Sequence, residues 1–189
     1  KKYGLPEDAI VILYCGRFSE EKGSLDLMNA FMLIPHKKKA LVLVGDGRLR
    51  ASMEEIVDRN GVDSVYFMGF QNRSEMGQFY ALADLLVLPS HRETWGMVVN
   101  EALCFSLPVV VSDQVGAGLD LVVPGDNGHV FPNGDVPALA EQITKLIELR
   151  DEDRSKMGKL SLSFIKEWTS RDLGRIFSEY LDSLNLSRN

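Results

Sequence analysis

Short apolar runs alternate along the chain with longer segments in which apolar residues recur at helical spacing. The runs predict strands at residues 9–15, 41–44, 65–68, 85–88, 108–111 and 129–131. They are nearly continuous in apolar side chains, as strands of a sheet covered on both faces are. The alternation therefore predicts an α/β fold, a doubly wound parallel sheet of Rossmann-like type with helices on both faces.

Length and composition narrow the class of protein. With 189 residues and 45% hydrophobic content, we expect one domain spanning 1–189. The net charge of −6 disfavours a general nucleic-acid surface, which needs clustered Lys and Arg. We find no signal peptide and no apolar run of about 18 residues, so we predict no transmembrane segment and a cytoplasmic location. Cys15 and Cys104 are expected to be small core residues, and no metal site is predicted.

The loop after the first predicted strand carries two cations. Gly16 begins this loop, and Arg17 and Lys22 follow within it. In a doubly wound sheet such a loop opens onto the ligand crevice at the carboxyl ends of the strands. Two cations there suit a diphosphate, because they neutralise charge on a leaving group without a metal ion. The alternative is that they pair with Glu20 and Glu21 at the surface.

A nearly all-apolar helix is predicted from about Gly96 to Phe105, which indicates an interior position. Glu101 projects among its apolar side chains, so its carboxylate must find donors, take up a proton or face a cavity filled by a polar ligand. Glu93 lies just before the helix, where free backbone N–H groups favour an anion. The alternatives are that Glu93 is an ordinary loop acid and that Glu101 pairs with a buried Arg or Lys.

Other loops supply further candidates. Phe70 and Gln71 leave the third strand toward the same crevice, although Phe70 could equally pack in the core. Residues 112–118 contain Gly-Ala-Gly and are predicted to form a flexible loop that approaches a ligand closely. Ser24 and Ser74 are predicted to cap the helices that follow them.

The two acids resemble a known motif. Glu93 and Glu101, separated by TWGMVVN, resemble the Glu-seven-residues-Glu motif of retaining nucleotide-sugar glycosyltransferases with the GT-B fold, of the family 4 or group 1 type. Gly-Arg at 16–17, Glu-Lys-Gly at 21–23 and Val-Gly-Asp-Gly at 44–47 stand in the family's order. The resemblance extends from about Ile10 to Leu184, and it is to the carboxyl-terminal, donor-binding domain.

The resemblance implies transfer of a sugar from a nucleoside diphosphate to an acceptor hydroxyl. It implies catalytic roles for Glu93, Arg17 and Lys22, and it implies no metal and no cofactor beside the donor. The donor-binding residues that it implies are Gly16, Arg17, Lys22, Phe70, Gln71, Glu93, Thr94, Trp95, Gly96, Met97 and Glu101.

The resemblance also implies a missing partner. An N-terminal acceptor-binding domain of the same protein would complete the enzyme, and the final predicted helix, at about 169–187, would pack on it. The isolated domain is then expected to be inactive alone. Two alternatives stay open: one half of a sugar-nucleotide epimerase on the same fold, and a non-catalytic nucleotide-binding module.

Overall fold

One six-stranded sheet organises the chain in the computed structural model, which describes residues 2–35 and 38–168. The spatial order is β3-β2-β1-β4-β5-β6, and every neighbouring pair is parallel. This confirms the predicted doubly wound α/β fold. The strands are β1 Ile10–Cys15, β2 Lys39–Val44, β3 Val65–Gly69, β4 Leu85–Leu88, β5 Val109–Ser112 and β6 Gly128–Phe131. The helices are α1 Ser24–Leu33, α2 Arg50–Asn60, α3 Arg73–Leu82, α4 Met97–Cys104, α5 Gly116–Leu121, α6 Val136–Ile147 and α7 Asp151–Glu167.

Alternate side chains of the central strands bury into two separate layers. Val11 and Leu13 of β1 enter the layer that contains α3, α4 and α5, whereas Ile12 and Tyr14 enter the layer that contains α1 and α6. All four side chains are fully buried. Burial on both faces explains why these strands are continuously apolar instead of alternating with polar residues.

The strand order reverses between β1 and β4, which lie side by side although two strands separate them in sequence. The loops that leave two adjacent parallel strands in opposite directions open a crevice at the carboxyl ends of the strands. In this chain those loops are residues 16–23 after β1 and 89–96 after β4. They contain both cations and Glu93, and the second loop leads directly into α4, which carries Glu101.

Both predicted serine caps are wrong. Helix α1 begins at Ser24 itself, because Gly23 occupies the N-cap in a left-handed conformation with φ 62°. Helix α3 is capped by Asn72, whose backbone N–H is paired with the Glu75 carboxylate in a capping box. Ser74 therefore lies one residue inside the helix.

The predicted flexible loop at 112–118 is also wrong in part, because α5 begins at Gly116 and buries Ala117 and Gly118. A Cβ atom at Gly118 would lie 2.8 Å from a methyl carbon of Val111, so the small residues let this helix pack closely on β5. The predicted helix at 169–187 lies outside the described residues.

Helix α4 is less buried than predicted. Its Val99, Ala102 and Leu103 are buried, but Met97 is 58% exposed and Phe105, just after the helix, is 44% exposed. The other face packs against α7. Cys104 is exposed, which corrects its prediction as a core residue, whereas Cys15 is buried as predicted.

Candidate functional site

The loop after β1 is held by hydrogen bonds to its neighbours. The buried Tyr14 hydroxyl donates to the Arg17 carbonyl at 2.8 Å, and the Gly16 N–H donates to the Val44 carbonyl at 3.0 Å. A Cβ atom at Gly45 would lie 2.9 Å from the carbonyl carbon of Gly16, so only glycine permits this close approach. These contacts fix the backbone that carries Arg17, whose exposed side chain lines the crevice.

Lys22 and Glu93 form an ion pair across the crevice. The Lys22 Nζ donates to the Glu93 Oε2 at 2.7 Å, and the side chains are 27% and 20% exposed. Glu20, the predicted surface partner, pairs with Arg48 instead. The surface-pairing alternative is therefore wrong for Lys22, which pairs with Glu93 instead.

The loop that carries Glu93 is fixed by the segment leading into α5. The Glu93 carbonyl accepts from the Gly116 N–H at 3.1 Å, and the Trp95 carbonyl accepts from the Ala117 N–H at 2.8 Å. A Cβ atom at Gly116 would lie 3.0 Å from the carbonyl carbon of Thr94, so a side chain there would push the loops apart. The buried helix start thus sets the position of the Glu93 backbone.

The N-terminus of α4 presents free donors to the crevice. Gly96 is the N-cap at φ 97°, and its carbonyl accepts from the Val99 N–H at 2.8 Å. The backbone N–H groups of Gly96, Met97 and Val98 donate to none of the described residues. Such a turn is a favourable place for an anion, because its N–H groups carry partial positive charge.

The Glu101 carboxylate is bound by a phenol instead of a cation. The Tyr80 hydroxyl donates to the Glu101 Oε2 at 2.6 Å, and no ion pair joins Glu101 to any of the described residues. The alternative of a buried Arg or Lys partner is therefore wrong. Burial, the neighbouring Cys15 and the bond to Glu101 raise the pKa of Tyr80, so the phenol stays protonated and donates.

Cys15 lies beside this pair as a neutral thiol. Burial raises the pKa of the Cys15 thiol to about 12, with a smaller raising contribution from Glu101. At neutral pH almost none of it is thiolate, the reactive form. Cys15 therefore lacks the lowered pKa that is typical of a nucleophilic cysteine.

Phe70 and Gln71 follow β3 at the edge of the crevice. Phe70 is 77% exposed, so the alternative of core packing is wrong. The Gln71 amide donates to the Met68 carbonyl at 2.7 Å, which ties this side chain to the end of β3. An exposed aromatic ring beside a cavity offers a face for stacking.

All eleven predicted donor-binding residues line one or both of two adjoining cavities. The larger, of about 550 Å³, is lined by Arg17, Phe70, Gln71 and Glu101 among others. The smaller, of about 420 Å³, is lined by Lys22, Glu93, Thr94, Trp95, Gly96 and Met97. Cys15, Gly16 and Val98 line both. These volumes lie in the range of small-molecule sites, roughly 300–1,000 Å³.

The family model for glycosyl transferases group 1 matches residues 1–161. The chain belongs to this family. The curated relatives of this group 1 glycosyltransferase include N-acetyl-alpha-D-glucosaminyl L-malate synthase of Bacillus anthracis, 29% identical over 95% of this chain and 46% of the relative. The capsular polysaccharide biosynthesis glycosyltransferase CapM of Staphylococcus aureus is 34% identical over 78% of this chain and 39% of CapM. The chain spans about half the length of the curated relatives it matches.

Solved structures show the same fold. The structure of HepE from Anabaena in complex with UDP and glucose aligns with a TM-score of 0.79 at 26% identity, over 93% of this chain and 49% of HepE. Sucrose-phosphate synthase from Thermosynechococcus elongatus aligns with a TM-score of 0.78 at 29% identity, over 95% of this chain and 47% of that enzyme. These findings confirm the predicted resemblance to GT-B glycosyltransferases and do not favour the epimerase or non-catalytic alternatives.

Sequence reasoning missed several residues of the candidate site in this group 1 glycosyltransferase. Asp46, Arg73 and Met76 line the larger cavity, and Tyr80 binds Glu101 from the layer beneath. Asp46 lies in the glycine-rich turn after β2, so the topology could have placed it at the crevice. Tyr80 carried no such signal, because an aromatic residue on the apolar face of a helix usually serves packing.

The described part of this glycosyltransferase shows neither a metal-ion cluster nor a membrane-spanning helix. Within residues 2–35 and 38–168, no three His, Cys, Asp or Glu side chains are placed to hold a metal ion. No helix of those residues is long and apolar enough to cross a membrane. Metal-free chemistry and a cytoplasmic location stay predictions.

Proposed function

We propose that residues 1–189 form the donor-binding domain of a retaining glycosyltransferase, which moves a sugar from a nucleoside-diphosphate sugar to an acceptor hydroxyl. One observation carries the proposal. The two cavities share Cys15, Gly16 and Val98, and each is lined by one acid and one cation: Glu101 and Arg17 in the larger, Glu93 and Lys22 in the smaller. A nucleoside, a diphosphate and a sugar have the matching order of chemical groups.

The diphosphate would lie where the cavities meet. Arg17 has no ion-pair partner among the described residues, so its guanidinium is free to bind phosphate oxygens. Lys22 uses one of its three donors on Glu93, and two remain. The free N–H groups at Gly96 and Met97 supply further donors. As the sugar bond breaks, these groups would stabilise the negative charge that develops on the departing diphosphate.

The nucleoside would occupy the larger cavity. The Glu101 carboxylate lines this cavity and has no ion-pair partner among the described residues, so it can accept hydrogen bonds from ribose hydroxyls. Phe70 offers an exposed ring for stacking on the base, with Gln71 next to it. HepE, a structural neighbour at 26% identity, binds UDP, which supports this ligand class.

The sugar would occupy the smaller cavity beside Glu93. The Glu93 carboxylate would accept hydrogen bonds from the sugar ring while its 2.7 Å contact with Lys22 holds it in place. Thr94 and Trp95 line the same cavity, and the Trp95 Nε1–H donates a hydrogen bond to the Asn100 Oδ1 at 2.8 Å. Retention of the anomeric configuration is part of the proposal, and proton NMR of the transfer product formed by the intact protein would test it.

Calorimetric titration of the chain with UDP, GDP and ADP tests the proposal. We expect one of them to bind with a stoichiometry of one, and we expect Arg17→Met to weaken diphosphate binding by about tenfold. The Arg48→Met variant is the matched control, because Arg48 pairs with Glu20 outside both cavities. If no nucleoside diphosphate binds, or if both arginine variants behave alike, the proposal fails.

Catalysis is proposed for the intact protein and not for this chain by itself. The acceptor would bind an N-terminal domain, in keeping with the chain covering about half of its relatives. We expect transfer by the intact protein and none by residues 1–189 alone. Transfer activity in the isolated chain would contradict this division of roles.

A further inference from the structure

Tyr80 is a buried phenol whose hydroxyl reaches the candidate site. Its side chain is 2% exposed, and the ring stacks on Phe105 with the centroids 5.4 Å apart and the planes 29° from parallel. Phenylalanine would fill the same space and keep that stacking. The hydroxyl therefore needs an explanation separate from packing, because burying a polar group costs free energy unless it is bonded.

The hydroxyl makes a short, charge-assisted bond to one oxygen of Glu101. The donor-acceptor distance is 2.6 Å, in the range typical of O–H···O⁻ bonds. The second oxygen, Oε1, accepts from no residue in the described part of the chain. Glu101 also lines the larger cavity. One carboxylate oxygen is thus bound by the protein interior while the other stays available.

A carboxylate bound at one oxygen loses most of its rotational freedom. Without the Tyr80 bond, Glu101 would sample several rotamers, and a ligand would have to bear the cost of fixing one of them. The bond also orients Oε1 relative to the sheet, because Tyr80 is fixed by its stacking on Phe105. The arrangement is that of a supporting hydrogen bond behind a ligand-binding group.

We infer that Tyr80 is a positioning residue for nucleoside recognition, which holds Glu101 so that its second oxygen meets the ribose hydroxyls. The inference rests on the proposed function. A purely structural role is the competing explanation, in which Glu101 serves only to satisfy a buried phenol. The two differ in whether loss of the hydroxyl affects ribose recognition or affects stability alone.

The test compares ribonucleotide and dideoxynucleotide binding. The ligand is whichever of UDP, GDP and ADP binds most tightly. This ribonucleotide and its 2′,3′-dideoxy counterpart, which lacks both ribose hydroxyls, are each titrated into wild type and into Tyr80→Phe. We expect Tyr80→Phe to weaken ribonucleotide binding by about 5- to 30-fold and to leave dideoxynucleotide binding within about twofold. Tyr66→Phe is the matched control, because it also removes one phenol hydroxyl, from a partly buried residue that packs against the same core layer and lines neither cavity.

The inference is overturned if Tyr80→Phe weakens both ligands equally, or neither, while the chain stays folded by circular dichroism. A second measurement adds Glu101→Gln. When Glu101→Gln is already present, we expect Tyr80→Phe to weaken ribonucleotide binding by less than about threefold, because the positioned carboxylate is no longer there. An unreduced effect of Tyr80→Phe there would also overturn the inference.

Its failure can be told apart from failure of the proposed function. If wild type prefers the ribonucleotide and Glu101→Gln removes that preference, the proposed function survives whatever Tyr80→Phe does. If wild type binds no nucleoside diphosphate, both the proposed function and the inference fall.

Discussion

Replacing Gly23 with alanine tests how closely the loop after β1, residues 16–23, packs against the end of β4. Gly23 follows Lys22 and has φ 62°, a conformation that disfavours any side chain. A Cβ atom there would lie 2.9 Å from the carbonyl carbon of Pro89 and closer still to its oxygen. Ordinary carbon-carbon contacts are about 3.5–4.0 Å, so the two loops would have to separate by about 1 Å.

The chain offers a matched control at Gly61. This residue has φ 60°, nearly the same conformation, but a Cβ atom there would meet nothing within 4 Å. Alanine at Gly61 should therefore cost only the left-handed backbone conformation, about 1–2 kcal/mol. Alanine at Gly23 adds the steric displacement, typically about 1–3 kcal/mol, for a total of about 2–5 kcal/mol.

Urea denaturation of the two variants measures this difference in the free energy of unfolding. We also expect Gly23→Ala to weaken nucleoside-diphosphate binding, since separation of the loops disturbs the 2.7 Å contact between Lys22 and Glu93. Gly61→Ala should bind as wild type does. Equal losses of stability in the two variants would refute the argument from close packing.

Three further predictions concern single groups. Lys22→Met should lower diphosphate affinity by about tenfold while Lys156→Met, at an exposed surface pair, leaves it unchanged by calorimetry. Iodoacetamide at pH 8 should label the exposed Cys104 in the native chain, and mass spectrometry measures the labelling. Cys15 should react only after unfolding, because it is buried and burial raises its pKa to about 12. Labelling of Cys15 in the native chain would contradict its burial. Burial lowers the pKa of His129, so the unfolded chain binds the proton more readily and the free energy of unfolding falls as pH drops below about 6.5. In urea titrations, His129→Gln should weaken this dependence on pH. An unchanged dependence in the variant would contradict the role of His129.

Local patterns predicted most of the fold because the signals for strands and helices are themselves local. The six predicted strands all appear within a few residues of their predicted positions, because each is a short apolar run bounded by polar residues or glycine. The errors at Ser24 and Ser74 arose because one polar side chain is a weak signal beside a left-handed glycine or a capping box. Helix α5 was missed because Gly-Ala-Gly lowers helix propensity, and its support comes from packing on β5.

The candidate site depended on knowledge of topology as well as pattern. Lys22 and Glu93 are 71 residues apart in sequence, and only the adjacency of β1 and β4 brings them together. The motif resemblance assigned both residues to one donor site, and the strand order explains how they come together. Tyr80 could not be predicted in the same way, because its distinguishing feature is the partner of its hydroxyl, and no spacing rule reports that.

A crystal structure of the chain with the nucleoside diphosphate that calorimetry selects would show whether the donor binds in the two cavities. We expect ribose hydroxyls within about 2.6–3.2 Å of the Glu101 carboxylate. We also expect the diphosphate beside Arg17 and the Gly96 N–H, with its terminal phosphate toward the cavity that Glu93 lines. A ligand bound outside the two cavities, or one whose ribose lies beside Glu93, would contradict the proposed function.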